Sequence, residues 1–131
     1  MRASLIDPYT LFSSIAAPGQ QVFTSSGSFV VPTGVTSISA VCIGAGANAT
    51  SGRGGNGGRG GDLRYITTLA VTPGETLTVT VGTAGGLTEI LRSGTSLLTA
   101  RGGTTGTSST VAGTIGGGNG GTGGTGDTGD D

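Results

Sequence analysis

The chain is predicted to be all-β: a small β-sandwich with glycine-rich, polyglycine II-like tracts and an N-terminal arm. Two patterns carry this expectation. Between Val22 and Ala100, short runs rich in Val, Ile and Thr alternate apolar with polar residues and are bounded by Pro and Gly. Two glycine tracts interrupt and close that pattern, and in both the non-glycine residues recur at every third position.

Taken in order, residues 1–20 form the arm, 21–112 the glycine-rich sandwich and 113–131 a glycine-rich acidic tail. The arm is dense in apolar groups: Leu5, Ile6, Tyr9, Leu11, Phe12 and Ile15 are its candidate docking residues. Asp7-Pro8 sets a turn, and the helical spacing of Leu11, Phe12 and Ile15 predicts a short helix opened by Pro8. Pro18-Gly19 ends the segment. With one positive charge and an Asp-Pro interruption, this start is a poor signal peptide.

In the sandwich, Phe29-Val30-Val31 runs into a Pro32-Thr33-Gly34 turn, after which Ile38, Ala40 and Cys42 alternate with Ser37, Ser39 and Val41. Leu63, Tyr65, Thr67, Leu69 and Val71 are read as one face of the next strand. Thr72-Pro73-Gly74-Glu75 has Pro and Gly where a type II turn wants them. Leu77, Val79 and Val81 then alternate with threonines, and Thr88 to Ile90 and Ser96 to Ala100 supply two shorter strands.

Composition removes several function classes. The chain has no Lys, six basic residues in all and a net charge of -1, so nothing drives it electrostatically toward nucleic acid or an anionic membrane. It has no His, which takes away the commonest general base and most transition-metal sites. Cys42, the single cysteine, reads as a buried small hydrophobe. Glu75 and Glu89 would pair as catalytic carboxylates only by coincidence of folding, and the expectation is no enzyme, no cofactor and no metal.

The glycines need their own account. Gly44-Ala45-Gly46-Ala47-Asn48-Ala49 fits G-x-G-x-x-A, but a dinucleotide site needs a helix next, and a glycine tract is a very poor helix former. Arg53 and Arg59 beside glycines suggest an RNA-binding tract, yet no aromatic stacking partner lies within it. Collagen would require abundant Pro. Asp127 sits one residue early for the β-helix calcium repeat, leaving Asp127, Asp130 and Asp131 as a solvated tail.

What remains is backbone packing on backbone. The seven glycines between 52 and 61 together cost on the order of 3–7 kcal/mol more than alanines to order. Either the tract stays disordered or dense main-chain hydrogen bonding between threefold strands offsets that cost, and such packing needs glycine because any Cβ would separate the backbones. Gly54, Gly55, Gly57, Gly58, Gly60 and Gly61 are the candidate packing residues, with Arg53, Asn56 and Arg59 on the exposed edge.

Several segments resemble a glycine-rich β-sandwich domain of phage structural and adhesion proteins. They are Gln21 to Thr24, Gly27 to Gly34, the strand Ser37 to Gly46 with the tract after it, Leu69 to Gly82 and Ser93 to Gly103. Coverage is about residues 21 to 126. The resemblance implies a virion structural protein: a capsid decoration (cement) protein attached by its arm, or else a receptor-binding tail-tip or tail-fibre adhesin. It implies a place on the virion surface after assembly in the host cytoplasm. Expected partners are the major capsid protein or a tail protein, and a host surface receptor for an adhesin. Because the core is lean in aromatics, a homotrimer that buries further surface is also expected.

Overall fold

The computed structural model describes residues 19–51, 55–103 and 115–125. Among them are seven strands and no helix: β1 (Gly27–Val30), β2 (Ser37–Ile43), β3 (Leu63–Ala70), β4 (Thr76–Thr80), β5 (Thr88–Arg92), β6 (Thr95–Ala100) and β7 (Ile115–Gly118). They form two antiparallel sheets, β1-β4-β5-β6 and β2-β3-β7. β2 lies over β5 and β6, and β3 over β6, so the fold is the expected sandwich. The helix expected after Pro8 lies outside the described residues.

Alternation puts one face of strands β1 to β6 into the core. Leu77, Leu98 and Val31 are fully buried, and Cys42, Leu69, Val71, Ile90 and Ala100 join them. Phe29, Val35, Ile38, Ala40, Ile66 and Leu97 pack around this centre. Burying each Leu or Val contributes ~1.5–3 kcal/mol. The Cys42 thiol is pushed up to about 11, first by burial and then by the nearby Glu89 charge, so at neutral pH it stays a protonated, apolar filler.

The turns follow their local chemistry. Gly74 has φ +83, Glu75 N–H donates to the Thr72 carbonyl at 3.0 Å, and the type II turn is formed as expected. Glu75 then turns back: its carboxylate accepts from Thr72 N–H at 2.7 Å and from Arg92 twice, at 2.9 Å each. The same guanidinium donates to the Ala70 carbonyl at 2.8 Å, so one ion pair ties the β3–β4 turn to the end of β5. Between β5 and β6, Ser93 and Gly94 both have positive φ, the two-residue type I′ hairpin.

β3 departs from the expectation. Leu63, Tyr65 and Thr67 are exposed, whereas Leu69 and Val71 are buried, so the five do not share a face. The register steps from Ile38↔Leu69 to Ala40↔Ile66, setting Thr67 and Thr68 together against Ser39. This bulge reverses the phase of the strand, and Arg64 and Ile66 point inward in place of their neighbours. β7 also lies beyond residue 112, where the sequence ends the sandwich: Ile115-Gly116-Gly117-Gly118 is the outer strand of the smaller sheet.

Candidate functional site

The glycine segments extend one end of the smaller sheet. β2 and β3 pair as ordinary strands through Ile43↔Leu63, and then the chain changes its hydrogen-bonding period. Gly44 N–H donates to the Asp62 carbonyl at 2.8 Å, Ala47 to Arg59 at 2.8 Å and Thr50 to Asn56 at 2.9 Å. One leg advances three residues while the other retreats three. On the far side the rule repeats, with Gly57 donating to Gly124 at 2.8 Å and Gly60 to Gly121 at 2.9 Å. A pleated ladder cannot keep this spacing; backbones with three residues per turn can.

Two shorter pieces close the bundle. Residues 83–86 and 101–103 continue from the larger sheet, and Ala45 bonds both: its N–H donates to Gly86 at 3.0 Å and its carbonyl accepts from Gly103 at 2.9 Å. Asp62 N–H donates to the Arg101 carbonyl at 2.8 Å. The lattice thus welds the two sheets at this end, using main-chain groups from five segments.

Close approach explains the glycines. A Cβ on Gly58 would lie 1.8 Å from the Ala47 carbonyl oxygen, and one on Gly61 would lie 1.9 Å from that of Gly44. Gly57 and Gly60 turn toward Gly124 and Gly121, where a Cβ would meet backbone at 3.2 and 3.3 Å. So four of the expected packing positions line the interfaces. Gly54 and Arg53 lie outside the described residues; Gly55 is partly buried. Asn56 and Arg59 are exposed on the third edge, as their spacing requires. Gly44, the first glycine of the dinucleotide-like fingerprint, has the Arg101 carbonyl oxygen 2.0 Å from where its Cβ would be. It is a packing residue.

A polar clasp lies where the lattice meets the core. Asp62 and Arg64 are both buried and form an ion pair at 3.4 Å. The Arg64 guanidinium also donates to the Leu63 carbonyl at 2.9 Å and to the Asn119 side chain. Asp62 Oδ1 accepts from Gly120 N–H at 3.0 Å. Every buried polar side-chain atom among the described residues has a hydrogen-bond partner. Sequence reasoning missed this clasp; the only signal was a charged pair inside a strand start, Asp62 and Arg64, at positions two apart.

The second feature missed is apolar. Val41 and Ile43 of β2 stand opposite Tyr65 and Leu63 of β3, all on the outer face, with exposures of 62, 62, 41 and 41%. The Tyr65 ring lies over Gly116 of β7, which has no side chain to compete. The six arm residues Leu5, Ile6, Tyr9, Leu11, Phe12 and Ile15, and the acidic residues Asp127, Asp130 and Asp131, lie outside the described residues. Glu75 and Glu89 do not pair; Glu75 is engaged by Arg92.

A sandwich whose sheets are joined by a backbone lattice depends on glycine, and the comparison with known families found a glycine-rich domain. The model of a glycine-rich domain matches residues 24–131, so the chain belongs to that glycine-rich domain family. No curated protein and no solved structure matches it.

Proposed function

We propose that this chain is a non-enzymatic structural protein of a bacteriophage virion, a capsid decoration protein attached by its N-terminal arm. The observation that supports this most is the lattice itself. Three-residue hydrogen-bond spacing between 44–50 and 56–62, and between 57–60 and 121–124, builds a stiff extension from main-chain groups and leaves Asn56 and Arg59 along its edge. Such a device gives reach and rigidity to something displayed or wedged between subunits, and it uses no reactive side chain. The resemblance noted on the sequence supplies the phage context.

A tail-tip or tail-fibre adhesin is the second reading, favoured by one observation. The legs 44–50 and 56–62 run on beyond the last strand pair, Ile43↔Leu63, and their outermost bond, Thr50 to Asn56, lies at the end away from the strands, where a receptor would be met. Copy number separates the two. Quantitative mass spectrometry of purified particles should find hundreds of copies on the shell for a decoration protein and a few to some dozens on the tail for an adhesin. Absence from particles would overturn both.

A further inference from the structure

We infer that the outer face of β2 and β3, formed by Val41, Ile43, Leu63 and Tyr65, is the acceptor surface for the N-terminal arm of a neighbouring copy. This rests on the proposed reading of the chain as a multi-copy structural protein; here the arm holds each copy to the next, and attachment to the shell is by the linked copies together.

The patch is contiguous by register: Val41↔Tyr65 and Ile43↔Leu63 are same-face opposed pairs two residues apart, so their side chains lie side by side along two strands. Singly scattered apolar residues are ordinary on a protein surface, but four large ones grouped together on a face otherwise made of Ser, Thr, Ala and Gly are a docking signal. No charged residue is among them. Beside them β7 offers only glycine at 116 and 118, leaving a shelf bounded by the Tyr65 ring.

The occupant follows from the chain that lies outside the described residues and from where it joins. Residues 1–18 carry six large apolar side chains and, after Arg2, a single charge at Asp7. Fully extended they would reach up to ~60 Å. They join at Gly19, ahead of β1, whose first residue Gly27 pairs with Val79 near the end of β4. Ser26 Oγ accepts from Val81 N–H at 2.9 Å and holds the approach to β1 at the lattice end of the larger sheet. The patch is at the same end, because Ile43↔Leu63 is the last pair before the lattice begins, but it is on the outer face of the other sheet.

The chain thus enters β1 at the lattice end of the larger sheet, and the acceptor lies at that same end on the smaller one. That arrangement links copies head to tail, and a head-to-tail contact that closes makes a ring. The expected trimer is such a ring, each copy giving one arm and receiving one.

The test uses the full chain. Ile43→Ser with Tyr65→Ser alters the acceptor, and Leu11→Ser with Phe12→Ser alters the donor. Sedimentation should show each pair weakening self-association at least tenfold, and all four substitutions together should do no more than either pair. Because the acceptor side chains are already exposed, melting of the sandwich should stay within a few degrees of wild type. For direct linkage, a chain with Phe12→Cys is mixed with one carrying Ile43→Cys under mild oxidation; a disulfide between the two chains is expected. No cross-chain product, or an unchanged mass for the acceptor variant, overturns the inference. So does weakening by the acceptor variant alone, which would mean that patches pair face to face. If arm variants lose particle binding while acceptor variants bind and associate normally, the inference fails and the virion reading survives. If association behaves as expected but the chain is found on no particle, the reverse holds.

Discussion

Replacing Gly58 by alanine places a methyl group where the Ala47 carbonyl oxygen now sits, 1.8 Å away. Two lattice legs must move apart to restore contact distance, and overpacking of this kind costs ~1–3 kcal/mol. The same movement stretches the Ala47–Arg59 hydrogen bond, now 2.8 Å, and the Thr50–Asn56 bond beyond it. Each is worth about 0.5–1.5 kcal/mol. Against these stands a gain of ~0.4–1 kcal/mol from stiffening the unfolded chain. The net loss is about 2–4 kcal/mol, or roughly 8–15 °C in Tm for a chain of this size. Gly121→Ala is the matched comparison. Its Cβ would meet nothing within 4 Å and its φ is not positive, so only the unfolded-state gain applies. Its Tm should rise by about 2–4 °C. Thermal and urea melts of the purified chain measure both. Equal melting of Gly58→Ala and wild type, or an equal fall in Gly121→Ala, would refute backbone contact as the reason for these glycines.

Three other outcomes are expected. The Arg92 and Thr72 hydrogen bonds hold the Glu75 carboxyl below its ordinary 4.5, so its stabilisation is present above that value and fades as pH falls through the lowered one. Arg92→Gln should therefore reduce Tm at pH 7 and converge on wild type in acid, as a series of melts from pH 7 to 2.5 would show. Cys42, buried and with a thiol pushed up to about 11, should resist thiol reagents in native protein at pH 8 and react at once in denaturant. Arg64→Leu leaves Asp62 buried without its cation and should cost ~3–5 kcal/mol, with loss of amide-exchange protection at Gly120. Adding Asp62→Asn should return part of that loss.

The strands with strict alternation, such as Ile38-Ala40-Cys42 and Leu77-Val79, were legible because each inward residue has a side chain to bury. The proline and glycine turns were legible because φ preferences act locally. β3 was read in one phase throughout, and a bulge between Ile66 and Leu69 broke it. No residue type there announces the extra position, so Leu63 and Tyr65 were grouped on one face with Leu69 and Val71, a face they do not share. β7 has no pattern to read, since three of its four residues are glycine. The lattice faces were legible from the triplet spacing of Arg53, Asn56 and Arg59. Its partners at 83–86 and 101–103 were not, because they come from distant loops without that repeat.

Triplet spacing also dictates how such a chain can change length. Adding one Gly-Gly-Xaa unit to each leg lengthens the lattice by roughly 9 Å and returns every side chain to the edge it held before. Adding one residue turns all that follow by about 120°, driving a side chain into the position of Gly58 or Gly61. Insertions and deletions in this part of the gene are therefore tolerated in steps of nine nucleotides, matched between legs, and rejected otherwise. The segment is a ruler graduated in codon triplets, and lengths among homologous tracts should cluster at multiples of three.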